Sequence, residues 1–184
     1  QGKKEADFNA LKNNFPTLQD GQFKLIRNEQ NLGFSGGNNV GIHLALQNGS
    51  DWVLLLNNDT WMEPGFIASL KTKLSQLKGI VGLPLIEDGR TAYAGKIQWL
   101  KPTLAHVYTA NNLLHTTNYY AIGGGVAIHK DVFEKIGFLN EKYFLYFEDA
   151  DFSLRARKAE IPVSIAQDIM IYHKNLLILE EILL

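Results

Sequence analysis

Three carboxylates fall within four positions at Glu148-Asp149-Ala150-Asp151. On a helix, Glu148 and Asp151 share a face and Asp149 points about 100° away from Glu148. One carboxylate in such a cluster can take a proton from an attacking hydroxyl. The same acids can also do no more than cap a helix and complement its dipole. A helix dipole keeps an acid ionised and weakens it as a base, whereas loss of water and neighbouring carboxylates raise its pKa. The run before them, Tyr143-Phe144-Leu145-Tyr146-Phe147, is an aromatic wall that suits either a sugar site or a core.

A second polar cluster, Asn57-Asn58-Asp59, ends the apolar run Trp52-Val53-Leu54-Leu55-Leu56. In open α/β sheets, ligands bind beyond the carboxyl ends of strands. A carboxylate with amide oxygens there can hold Mg2+ or Mn2+, and the cation can neutralise a diphosphate. The competing reading is a plain polar turn. His173 follows a predicted strand and can ligate a metal or serve structure alone. Gly123-Gly124-Gly125 weakens a strand, which implies close approach of a ligand or of a packed neighbour. Gly36-Gly37 ahead of a helix can receive a phosphate at the helix N-terminus, although the spacing is not that of a dinucleotide or phosphate-binding loop.

The elements that must position these groups alternate. A short helix is expected over residues 7–14 and a strand over 23–27. A Gly/Asn-rich turn over 31–39 leads into a helix over 40–46, with positions 42, 45 and 46 on its apolar face. The run 52–56 reads as a strand buried on both faces. A helix opened by Pro64 and stopped at Gly79 follows, then a strand over 80–83. Residues 87–118 mix Gly, Pro and aromatics without a clear period, and a hairpin is one arrangement they allow. A glycine-interrupted strand over 120–128 precedes helices over 131–136 and 148–159, and a last strand runs over 163–172. This order predicts an α/β fold with a mostly parallel mixed sheet flanked by helices, in a single domain over residues 1–184.

Bulk properties fit that picture. The 184 residues are 46% apolar and 20% charged, with a formal net charge of −1. Such a chain can bury a core and carries no basic footprint for nucleic acid. With no cysteine, disulfides and thiolate metal sites are excluded. No apolar run reaches the ~20 residues of a membrane helix, and residues 1–6 lack the pattern of a signal peptide. The Leu-rich end over 176–184 has the spacing of an amphipathic helix that packs on something else.

Taken in order, three stretches resemble the inverting family 2 glycosyltransferases of GT-A fold, especially their rhamnosyltransferase-like branch. They are NEQNLGFSGGNNVGI, DWVLLLNNDTWMEPGF and AIGGGVAIHKDVFEKIGFLNEKYFLYFEDADFSLRARKAE, spanning residues 28–160, with a looser match at His173. The resemblance implies transfer of a sugar, rhamnose among the candidates, from a dTDP- or UDP-linked donor to a glycan or lipid-linked acceptor. It makes Asp59 the ligand of a divalent metal (Mn2+ or Mg2+) and of the donor diphosphate, with His173 completing the metal site. Asn57 stands where many relatives have aspartate. Asn57, Asn58, Gly33, Gly36, Gly37 and Asn39 would border the nucleotide. Gly124, Gly125 and Asp151 would border the sugar and acceptor. Asp149 would be the general base, supported by Glu148. A cytoplasmic location goes with this, with peripheral attachment to the inner membrane face left open.

Relatives open with an apolar strand, a helix and a second strand, which residues 1–22 do not contain. The expectation is therefore a partial domain lacking its first β-α-β portion. The alternative to an enzyme is a nucleotide-sugar-binding or structural domain without turnover.

Overall fold

The computed structural model describes residues 23–98, 100, 103–110 and 118–173. The chain divides into two compact units, Gln1–Leu32 and Gly33–Leu184. In the first, the described residues 23–32 form no helix or strand, so the strand expected over 23–27 does not form. Its alternation of apolar and polar residues is weak, and Phe23 and Ile26 stay exposed. The helix expected over 7–14 and the tail over 176–184 lie outside the described residues.

The second unit carries the fold. In chain order, and numbered so below, its elements are α1 (Gly33–Gln47), β1 (Trp52–Leu56), β2 (Thr60–Trp61), α2 (Phe66–Leu74) and β3 (Ile80–Gly82). Then come β4 (Leu85–Glu87), β5 (Arg90–Ala92), β6 (Ala94–Gln98), β7 (Thr103–Val107), β8 (Tyr119–Tyr120) and β9 (Gly125–His129). The remainder are α3 (Lys130–Ile136), α4 (Glu148–Lys158), β10 (Val163–Ile165) and β11 (Ile171–His173).

The main sheet has the order β1-β9-β3-β10. β3 and β10 are parallel, whereas β9 pairs antiparallel with both β1 and β3. β1, β3 and β10 therefore run one way and β9 alone runs back. Both faces are covered. Val53 and Leu55 join Ile80, Val126 and Ile128 in a core with Ile42 of α1, Phe133 of α3 and Phe152 of α4. On the other face Leu54 and Leu56 meet Phe66, Leu70 and Leu74 of α2, with Val81 and Ala127. A strand with apolar cover on both sides has to be apolar throughout, which is why residues 52–56 do not alternate.

A second sheet, β2-β11-β4-β5, and a third, β7-β6-β8, take β5, β6 and β7 from the stretch 87–118 that showed no clear pattern in the sequence. They hold two hairpins, β4–β5 and β6–β7. Asp88 and Gly89 join the first pair with φ of 49° and 69°. Two successive positive φ values make the two-residue turn that matches strand twist. The strand expected over 163–172 is split. Ala166 N–H donates to Gly82 O at 3.0 Å, and Ile169 N–H turns back to Ala166 O at 3.1 Å. Lys73 holds Asp168 of this turn at 2.7 Å. The break moves the chain from the first sheet to the second, and so places His173.

Among the described residues, no helix is long and apolar enough to cross a membrane.

Candidate active site

Because β9 runs against its neighbours, its start lies beside the carboxyl end of β1. Leu56 pairs with Gly125, Asn57 N–H donates to Gly124 O at 3.2 Å, and Leu83 N–H donates to Gly125 O at 2.9 Å. The polar turn after β1 and the glycine turn before β9 thus share one sheet edge. A Cβ on Gly125 would sit 2.7 Å from Ile171 Cδ1, and one on Gly124 would sit 3.1 Å from Asn57 Nδ2. Of the two causes open for these glycines, the packed neighbour accounts for both positions.

The same edge receives the start of α4. Asp149 Oδ2 accepts Gly123 N–H at 3.1 Å, and Oδ1 accepts Ala150 N–H at 2.7 Å. Ser153 Oγ accepts Ala121 N–H at 3.2 Å, one turn further along. Burial pushes the Asp149 carboxyl above the usual aspartate range, against the lowering effect of those N–H groups and of His106. Glu148 is also raised, chiefly by burial, with a smaller contribution from Asp149. Desolvation therefore outweighs the backbone N–H donors in both. Glu148 is 5% exposed and its buried Oε2 has no hydrogen-bond partner. The Tyr120 hydroxyl is pushed strongly upward by burial and by these two carboxylates.

The chain enters α4 through two successive left-handed residues, Tyr146 at φ 68° and Phe147 at φ 69°. Neither is glycine, so each costs on the order of 1 kcal/mol or more. The aromatic wall is not core: Phe144, Leu145, Tyr146 and Phe147 are all exposed.

The second sheet assembles the other acidic group. β11 pairs His173 with Thr60 on one side and Tyr172 with Ile86 on the other. His173 Nε2 lies 3.2 Å from Asp59 Oδ2, and Nδ1 lies 3.1 Å from Glu87 Oε1. Asp59 Oδ1 is buried without a hydrogen-bond partner. Adjacent ligands of an octahedral ion at ~2.1 Å stand ~3 Å apart, which the Asp59–His173 pair matches. With Glu87 on the far side of the ring, three side chains do not converge; among the described residues no such group of three is found. The donor set fits a divalent cation held by two side chains and completed by substrate oxygens.

A cleft of about 480 Å3 joins the two groups, and Asn57, Gly124, Glu148, Asp149 and His173 all line it. Asp59 adjoins it through His173. Other expected site residues lie elsewhere. α1 begins at Gly33, so Gly36 and Gly37 are inside a helix and form no turn at its N-terminus. Asn39 is buried and spends its amide on Leu139 O, Leu139 N–H and Glu141 Oε1 at 2.9–3.1 Å. Ser35 Oγ donates to Tyr143 O, and Phe34 N–H to Phe144 O, both at 2.8 Å. These clamps override the low helix propensity of glycine and make α1 a support for the loop before α4. Gly33 itself, at φ +70°, packs against Phe144. Asn58 is exposed in its turn, Gly125 is covered by Ile171, and Asp151 Oδ2 accepts from Arg155 Nε at 2.8 Å. The lining residues Phe34, Glu87, His106 and Tyr120 escaped sequence reasoning, whereas Leu145 and Tyr146 come from the aromatic wall it singled out. The Asp88-Gly89 turn was the available signal for Glu87; nothing local marked His106 or Tyr120.

The family model described as glycosyl transferase family 2 matches residues 8–137. The chain belongs to glycosyltransferase family 2. It is 29% identical over 152 residues to a low-salt glycan biosynthesis hexosyltransferase of Haloferax volcanii, covering 79% of this chain and 50% of that protein. It is 23% identical over 146 residues to a dTDP-rhamnosyl transferase of Shigella flexneri, covering 78% and 49%. The chain thus spans about half the length of the curated relatives it matches. A crystal structure of GalNAc-T7 with UDP, GalNAc and Mn2+ superposes with a TM-score of 0.65 at 18% identity, covering 88% of this chain and 34% of that one. That likeness shows the GT-A fold expected of a family 2 glycosyltransferase. The family match ends before α4, so the placement of Glu148, Asp149 and His173 rests on the geometry above.

Proposed function

We propose that the cleft carries out an inverting glycosyl transfer from a nucleoside-diphosphate sugar to a hydroxyl of a glycan or lipid-linked acceptor. The observation that carries this is one cleft lined both by the paired acids Glu148 and Asp149 and by the His173 end of the Asp59 group. The acceptor oxygen forms a bond to the anomeric carbon as the bond from that carbon to the diphosphate oxygen breaks. The hydroxyl proton passes to Asp149, which Gly123 N–H holds at the cleft. The upward shift caused by burial makes Asp149 a stronger base than an exposed aspartate. Glu148, whose buried Oε2 has no hydrogen-bond partner, stands beside it as a second carboxyl.

Asp59 and His173 would hold a divalent cation, Mn2+ or Mg2+, which neutralises charge on the diphosphate leaving group. Mn2+ and UDP accompany the GalNAc-T7 structure, and a dTDP sugar is named for the Shigella relative, so UDP and dTDP are the donors to test. A hexose donor, rhamnose included, agrees with both curated relatives. In this reading the chain works in the cytoplasm or at the inner membrane face.

Calorimetric titration with UDP and dTDP, each with and without Mn2+, tests the donor site. Metal-dependent binding that disappears in Asp59→Ala is expected. Binding that ignores both the metal and Asp59 would remove the cation from the reading. An Asp149→Asn protein that binds nucleotide and still transfers sugar at the wild-type rate would remove the base.

A further inference from the structure

We propose that Glu87 is a positioning residue: it holds the His173 ring so that Nε2 faces the cation site beside Asp59. This rests on the reading of Asp59 and His173 as metal ligands.

An imidazole can carry its proton on either nitrogen, and only the bare one can ligate. The partner of the other nitrogen selects the tautomer and the ring orientation. Here Glu87 Oε1 lies 3.1 Å from Nδ1, and Asp59 Oδ2 lies 3.2 Å from Nε2. Both nitrogens face a carboxylate, which accepts and does not donate, but of the two contacts only that with Glu87 has hydrogen-bond geometry, so we assign the proton to Nδ1. Nε2 is then the nitrogen left for a cation shared with Asp59.

The backbone fixes this arrangement. β11 runs parallel to β4 in the register Ile171–Leu85 and Tyr172–Ile86, which carries His173 alongside Glu87. Glu87 pairs with Arg90 across the two-residue Asp88-Gly89 turn, the last pair of its hairpin. Arg90 lays its guanidinium over the Tyr108 ring at 3.9 Å. The Glu87 and His173 side chains are 31% and 22% exposed, shielded enough to hold one geometry while the cleft stays open. A solvated surface glutamate would need none of this register.

The test is Mn2+ affinity in the presence of UDP, read by the electron paramagnetic resonance of free Mn2+, with a thermal melt of each protein. Glu87→Ala should bind Mn2+ about 10–100-fold more weakly with an intact melt. Glu87→Gln, whose amide oxygen still accepts from Nδ1, should stay nearer the wild type. Wild-type affinity in Glu87→Ala, with affinity lost in His173→Ala, would overturn the role of Glu87 and leave the ligands standing. Equal losses in the Ala and Gln variants would assign the effect to charge and overturn positioning. Failure of the wild type to bind Mn2+ at all would overturn the ligand reading and this inference with it. If Glu87→Ala does not fold, the nitrogen-15 spectrum of His173 in Mg2+-loaded wild-type protein decides. A proton on Nδ1 supports the proposal and one on Nε2 overturns it.

Discussion

Asp149 illustrates how function and stability pull apart at a single side chain. Its folded pKa lies above the unfolded value, mainly through burial. A carboxyl shifted in that direction adds stability below the unfolded pKa and loses it as pH rises through the folded one. Above the folded pKa the ionised group is therefore a burden on the fold. Asp149→Asn should lower kcat by about 10²–10⁴-fold and, relative to wild type, melt higher at high pH than in acid, offset at every pH by the acceptor lost to Gly123 or Ala150 N–H. Melts repeated in acid should show this relative gain disappearing, since the wild-type carboxyl is then also neutral. A variant that melts lower at high pH than in acid, relative to wild type, would contradict the assigned burial. The same shift sets the acid limb of the rate. Activity should fall with decreasing pH at a value above that of an ordinary aspartate, and the limb belongs to the Glu148–Asp149 pair because the two carboxyls interact.

The elements that deliver these groups are held by contacts no local pattern reveals. Arg155 Nε binds Asp151 Oδ2, while its two terminal nitrogens donate to Ile136 O and Phe138 O, all at 2.8 Å. It thereby ties α4 to the end of α3. Arg155→Ala should cost about 2–3 kcal/mol in urea unfolding, because carbonyls lose a charged donor. Arg155→Lys should recover only part, since one ammonium cannot span the three partners. Gly33 fixes the other approach to α4. A methyl there would lie 2.3 Å from Phe144 O at a φ of +70°. Gly33→Ala should destabilise by about 1–3 kcal/mol and displace the loop over 144–147, seen as a changed fluorescence of Tyr143 and Tyr146 or as new proteolysis there. The strand β1 and the start of α4 could be read from the sequence because an unbroken apolar run and clustered acids are local signals. The start of α1 could not. Ser35 and Asn39 make it helical by bonding to residues about a hundred positions away.

At the scale of the whole second unit, one inverted strand explains why the site gathers where it does. Were β9 parallel to β1, its glycines would lie at the far end of the sheet from Asn57; running back, it sets Gly123 and Gly124 against the turn after β1. Sequence patterns give strand position but not direction, so from the residues alone the two acidic groups were legible as separate clusters, and only the family resemblance put them in one site. The break between β10 and β11 works similarly, since it sends His173 into the second sheet beside Asp59 and Glu87. The cleft therefore draws on all three sheets, with His106 and Tyr120 coming from the third. A ligand that fills it should stabilise these elements as one body. Nucleotide with Mn2+ at a hundred times Kd should add about 2.7 kcal/mol to the folded state. In Asp59→Ala the nucleotide should give little of that shift at the same concentrations. Hydrogen exchange should show protection appearing together at Asn57, Gly123 and His173 when ligand binds. Protection confined to one of the three would mean that the cleft does not act as a single site, and the transfer reaction built on it would lose its geometric basis.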